Sequence, residues 1–254
     1  MNRLIYIVLL LTFPSLIPLV SATWLSPDPL MDKYPHISPY AYCNWNPMKY
    51  TDPEGRNPIY SIDGDLVGTD ETGLQGHAIV MDSKLFVQNM PSDVASAFDL
   101  GTDYLSDNAR SRLTENYNNL PSRPDWDGIL TLTEANNWYR NCEGKPLYVD
   151  ASKVDLSPIA ISDFSTIGSS KYINFLDPKN LNLKTGLVYG TIQVTLIGSD
   201  GTVRLGNKNG LLDVYNFDVQ NGRVFRNFAT QLGSILAGKG ITFNIFYYGS
   251  GKIK

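Results

Sequence analysis

From residue 57 onward, apolar and polar positions alternate in short runs whose period changes along the chain. Ile59-Tyr60-Ser61-Ile62 reads as a strand entering an Asp63-Gly64 turn, the strongest local signal for a hairpin. Gly76 to Met81 reads as a second strand. The period then becomes helical. Pro91 to Ala95 starts a short helix with Ser92 as its cap, and Ser106 to Leu120 forms a polar one. Thr131 to Arg140 forms a third, with Thr131 or Thr133 at its start and Gly144 beyond its end. Strands dominate after residue 145. Pro146 to Val149 is one, and Gly186 to Ile197 reads as a single long strand with Val188, Gly190, Ile192, Val194 and Leu196 on one face. Ser199-Asp200-Gly201 turns this strand into Thr202–Leu205. Phe225 to Leu236 is helical, with Phe228, Leu232, Ile235 and Leu236 on a common face, and Ile241 to Tyr248 is a last strand. The order lacks βαβ alternation. It predicts an α+β fold with short helices in the first half and a mainly antiparallel sheet plus one helix in the second.

The first residues follow another rule. Met1-Asn2-Arg3 is short and basic, Leu4 to Val20 is almost wholly apolar, and Val20-Ser21-Ala22 supplies small residues for a peptidase. Residues 1–22 therefore read as a secretory signal peptide, with a mature chain beginning near Thr23. An uncleaved anchor is the competing reading, which Pro14 and Pro18 disfavour. The expected location is exported, periplasmic or secreted, with no stable membrane anchor after cleavage. Export would put Cys43 and Cys142 where they can pair; a disulfide and two separate thiols both remain open.

Composition narrows the chemistry further. Of 254 residues, 43% are hydrophobic and 18% charged, so a buried core is available. The net charge of -4 argues against a partner held by bulk charge, and no nucleic acid is expected. Two histidines and two cysteines exclude a cysteine-rich zinc site or an iron–sulfur cluster.

Between the leader and residue 57 the chain is dense in proline and tyrosine, which rules out a long helix. Leu25-Ser-Pro-Asp28-Pro-Leu30, Ser38-Pro-Tyr-Ala-Tyr-Cys-Asn-Trp-Asn-Pro47 and Thr51-Asp52-Pro-Glu-Gly55 follow in that order. These three motifs resemble the end of an RHS repeat-associated core domain. The resemblance covers residues 24–56. It implies that residues 23–56 are a core remnant and 57–254 the variable C-terminal domain, which in this family is often a toxin delivered to competing cells. It also implies an immunity protein as a possible partner. Two departures stand out. The leader runs directly into the motifs without repeats, and Arg56 follows Gly55 where self-cleaving members carry leucine. Asp28 and Asp52 are therefore read as turn residues.

Four places carry candidate chemistry. His77 and Cys142 could form a nucleophile pair, although His77 reads better as a strand residue bonded to backbone and nothing marks an activated thiol. Asp63-Gly64-Asp65 lacks the later ligands of a calcium loop and reads as a turn. Gly238-Lys239-Gly240 is too short to cradle phosphate and reads as a helix end. The fourth place is the densest. Asp213, Tyr215 and Asp218, followed by Arg223 and Arg226, put two carboxylates, a phenol and two guanidiniums close together in sequence. Such a set can hold a metal ion, through Asp213 and Asp218, and a phosphate. In an extended segment Asp213 and Tyr215 share one face, with Asn216 and Asp218 on the other. The alternative is a strand edge running into a helix, with Asp218 capping and both arginines solvated.

Asp213, Tyr215, Asn216 and Arg223 resemble the active-site motif of the colicin M family within residues 187–248. That family hydrolyses the lipid-linked peptidoglycan precursor using magnesium. Asn216 stands where it has a second aspartate and Gly222 where it has a histidine. The resemblance implies Mg2+ as the cofactor, Asp213 as metal ligand or activating carboxylate, and Arg223 or Arg226 at the phosphoryl oxygens. The expected function is thus a toxin-like, periplasm-acting hydrolase of a phosphate ester or lipid-linked cell-wall precursor. The alternative is a non-enzymatic exported remnant or a cell-surface binding module.

Overall fold

The computed structural model describes residues 57–216 and 238–254. All described residues belong to one compact unit, Asp52–Lys254. The leader, the core-remnant motifs, Cys43, the Phe225–Leu236 helix and Asp218, Arg223 and Arg226 lie outside the described residues.

The described chain is α+β. It opens with β1 (Pro58–Tyr60) and β2 (Leu66–Thr69), then β3 (Ile79–Val80), which form a sheet in the order β2-β1-β3. The β1–β2 hairpin turns at Asp63-Gly64 as the sequence indicates, and Gly64 takes φ +82°. A side chain there would also collide with the Ala109 carbonyl oxygen, which lies 2.1 Å from an ideal Cβ, so glycine is required twice over. The second strand is shorter than Gly76–Met81: only Ile79–Val80 pairs, in parallel with β1.

Three helices follow: α1 (Ser92–Ala97), α2 (Asp107–Asn118) and α3 (Leu132–Asn141). Ser106 caps α2 by accepting from the Ala109 N–H at 3.3 Å. Thr131 caps α3 in a capping box with Glu134, the arrangement that Thr-x-x-Glu encodes. Ser92 is not a cap. Pro91 holds that position without a side-chain bond, and the Ser92 hydroxyl accepts instead from the Asn57 amide at 3.1 Å.

The second half carries β4 (Leu147–Asp150), β5 (Ser170–Asn174), α4 (Leu183–Tyr189), β6 (Thr191–Leu196), β7 (Thr202–Leu205), β8 (Leu211–Tyr215), β9 (Phe243–Tyr248) and β10 (Gly251–Lys252). One sheet runs β10-β7-β6-β5, all antiparallel, and another runs β4-β9-β8 with β9 in the centre. The β4–β9 pair is parallel and joins Leu147 to Ile245. Most strand pairs are antiparallel.

The long strand read over Gly186–Ile197 is two elements. Its first part is α4, capped by the Asn182 side chain accepting from the Thr185 N–H at 3.2 Å. Gly190 at φ +63° ends the helix and admits β6. Ile192, Val194 and Leu196 do share a buried face, but Val188 belongs to the inner side of α4. The apolar residues at alternate positions mimic a strand across this break, so period alone cannot locate it. The principal core joins these sheets around Val149, Phe175, Ile192, Val194, Val203 and Ile245.

Candidate functional site

Asp213 lies on β8, an edge strand of the β4-β9-β8 sheet. A bulge interrupts β8 between Leu211 and Asp213, after which Asp213 faces Ile245 and Tyr215 faces Phe243. Directly opposed residues share a sheet face, so Asp213 sits on the same side as two core residues. It is nevertheless only half buried, because it lies at the sheet edge beside α4. A carboxylate on an inner face is costly unless something there uses it.

Phenols surround it. Tyr189 closes α4 and is buried, and its phenol is pushed well above the usual range first by burial and then by Asp213. Tyr215 is pushed up to about 12, again mainly by burial, with Arg140 pulling the other way and Tyr139 and Asp213 adding to the rise. Both phenols therefore stay protonated near neutral pH. Asp213 and Tyr215 share a face as expected, but the Tyr215 hydroxyl is committed: it donates to the Asn136 carbonyl oxygen at 2.7 Å. Its ring stacks on Phe243 with centroids 5.0 Å apart and meets Tyr139 edge-on at 6.1 Å. Tyr215 is thus a core residue that shapes the floor beside Asp213. Asn216 follows it at the exposed end of β8.

Three neighbours were not visible in the sequence: Tyr189, Arg140 and Asn136. Arg140 ends α3, where its charge also suits the helix C-terminus, and its guanidinium hydrogen-bonds the Asn137 side chain. The chain returns to the same helix after β8: Gly240 leaves no room for a Cβ against Tyr139, and the Ile241 N–H donates to the Tyr139 carbonyl at 2.8 Å. The described ends flanking residues 217–237 therefore both contact the C-terminal half of α3. A cap signal at Asn182 would have placed Tyr189 on the buried face of α4. No local signal points to Arg140.

The other candidates separate clearly. His77 is exposed in the loop before β3 rather than in a strand. Cys142 is a partly buried free thiol at the end of α3, and burial pushes it up despite nearby Arg123 and Lys145. No hydrogen bond joins it to His77 among the described residues. Asp65 forms an exposed pair with Arg112 at 3.3 Å, and Asp63 lies in the turn. Gly238 takes φ +76°. No group of three or more metal-ligating side chains gathers among the described residues.

The most deeply buried ion pair among the described residues lies elsewhere. Arg123 and Asp125 form a bidentate pair, Nε to Oδ1 at 2.9 Å and Nη2 to Oδ2 at 2.8 Å. Asp125 also accepts from the Tyr148 N–H at 2.7 Å, and Arg123 donates to the Pro146 carbonyl at 2.7 Å. The guanidinium lies 5.1 Å from the Trp138 ring and 5.7 Å from that of Tyr148. This pair clamps the loop between α2 and α3 onto β4. Its function is structural.

Comparison with known proteins adds no family: no family model matches the chain, and no curated protein matches it.

Proposed function

We propose that residues 57–254 form the exported, toxin-like C-terminal domain of an RHS-type protein, and that it hydrolyses a phosphate-ester bond, with a lipid-linked cell-wall precursor as the substrate class. The single observation that carries this reading is the placement of Asp213: a partly buried carboxylate on the inner face of an edge strand, beside two protonated phenols. In the proposed reaction Asp213 takes a proton from water as its oxygen attacks phosphorus, and the phosphorus–oxygen bond to the leaving group breaks. Arg223 or Arg226 balances the charge growing on the phosphoryl oxygens. Gly222 lacks the histidine of the resembled motif, and the protonated phenol of Tyr189 beside Asp213 would be the hydrogen-bond donor instead. Magnesium needs one or two carboxylates besides substrate oxygens; Asp213 and Asp218 are the residues that would hold it, and it would supply charge neutralisation at the phosphoryl group.

The test is periplasmic toxicity and precursor cleavage by the parent, Asp213→Ala and Arg223→Ala, with circular dichroism to verify folding. Loss of about a hundredfold or more in each folded variant is the expected result, the scale for removing one transition-state contact. Full activity in both removes this segment as the catalytic site. Absence of any activity in the parent favours the non-enzymatic reading, a remnant or cell-surface binding module. An immunity partner would be recognised as a protein that abolishes the toxicity of the parent.

A further inference from the structure

The outer face of α4 has an unusual composition for a surface. Leu183 and Leu187 are 58% and 49% exposed, and Leu181 just before the helix is 55% exposed. Leu183 and Leu187 are one helical turn apart, so they form a continuous ridge. Thr185, Gly186, Val188 and Tyr189 fill the opposite, buried face. Among the described residues the helix is already fixed by its inner side and by the Asn182 cap, so their packing does not require the ridge to be apolar.

Charge selects the occupant. Lys179 and Lys184 flank the three leucines and are exposed, and residues 178–187 contain no Asp or Glu, in a chain whose net charge is -4. Two acidic groups lie close by: Asp177, which accepts from the Lys179 N–H, and Asp155, whose carboxyl is held low chiefly by hydrogen bonds from Ser157, with a smaller effect from Lys184. Leucines at half exposure bordered by lysines match an anionic bilayer surface: the side chains enter the headgroup boundary and the ammonium groups meet phosphates. We propose that α4 and the residues leading into it form a peripheral docking face for anionic lipid membranes. Its consequence for catalysis rests on the function proposed above. Tyr189 and Asp213 lie on the opposite, buried side of the same helix, so docking through α4 would hold the domain at the surface where a lipid-linked substrate resides without pressing the ridge against Asp213.

The experiment uses the full chain with vesicles of phosphatidylglycerol and phosphatidylethanolamine, and with neutral phosphatidylcholine vesicles. A Leu187→Trp variant reads this face locally. Its added fluorescence is expected to be quenched by brominated lipid in the anionic vesicles and to lose that quenching at high salt. Lys179→Glu with Lys184→Glu in the same background should weaken quenching by at least about tenfold in lipid concentration, since each interfacial lysine contributes a factor of about five. Leu183→Ser should weaken it as well, with folding checked by circular dichroism. No quenching above the parent, or quenching unaffected by the charge reversals, overturns the proposal. Concentration-dependent dimerisation that Leu183→Ser removes, without lipid quenching, would make the ridge a protein interface and also overturn it. The two readings fail separately. Asp213→Asn must leave vesicle binding intact, whereas hydrolysis of a soluble phosphodiester tests Asp213 without any membrane.

Discussion

The Arg123–Asp125 clamp and the Asp213 edge place charge beside aromatic rings, with opposite outcomes. In the clamp every carboxylate oxygen is used: Asp125 is fully buried and accepts from Arg123 twice and from the Tyr148 backbone. At the edge the carboxylate is partly exposed and its neighbours are phenols held protonated by burial. The clamp is a deeply buried ion pair that fixes a loop, whereas the edge carboxylate stays in contact with solvent. Burial of a charge alone therefore does not mark a site; access to solvent and the chemistry of the neighbours have to be weighed with it.

Breaking the clamp should have the largest effect on stability. Asp125→Ala leaves the Arg123 guanidinium buried without its counter-ion and should cost about 3–5 kcal/mol in chemical denaturation. Replacing both partners by apolar residues, as Arg123→Met with Asp125→Leu, should recover most of that loss, because no orphaned charge remains. A double variant as unstable as Asp125→Ala would show that the Pro146 and Tyr148 backbone bonds, rather than the ion pair, hold the loop.

At the edge the expectation reverses. Asp213→Asn should shift unfolding free energy by less than about 1 kcal/mol while abolishing the proposed turnover, since the group is partly exposed at the sheet edge and the substitution keeps its size. A loss on the scale of Asp125→Ala would place both carboxylates in the same structural class and end the contrast. Just above the edge variant is Thr131→Ala, which removes the capping box of α3 and should cost about 1 kcal/mol, read as a lower thermal midpoint.

The smallest effect belongs to Asp200. Its carboxyl is held far below the ordinary range, first by the hydrogen bond from Lys252 and then by those from Thr202. A depressed pKa means that the contribution is present above the unfolded carboxylate pKa and fades as the pH falls through the folded value. Asp200→Asn should flatten the acid limb of a stability–pH curve slightly, and high salt should erase the difference, because the group is exposed.

Much of the fold was legible where the deciding contacts are local. Asp63-Gly64 and Ser199-Asp200-Gly201 announce hairpins through backbone angles, and Thr131 with Glu134 announces a helix start through bonds three residues apart. The misreading of Gly186–Ile197 arose because Val188, Ile192 and Val194 satisfy two periods at once. What decides in favour of helix is tertiary: Gly186 packs against the Phe175 carbonyl, 2.9 Å from an ideal Cβ. β5 was missed for a related reason. It is an edge strand with only Ile173 buried, so it has almost no apolar pattern to read. The candidate site was half legible. Asp213 and Tyr215 stand out in sequence, whereas Tyr189, Asn136 and Arg140 reach them only through the folded contacts of α3 and α4.

The position of β9 sets the order in which the domain can assemble. It is the central strand between β4 and β8, and its partner β4 begins at Leu147 while β9 begins at Phe243. During synthesis both flanking strands leave the ribosome before the strand that joins them. Closing so long a loop is slow, and until then the edges of β4 and β8 offer unpaired backbone to any other chain. A fragment ending before residue 243 would keep those edges permanently open. Such truncations should therefore be aggregation-prone rather than merely less stable.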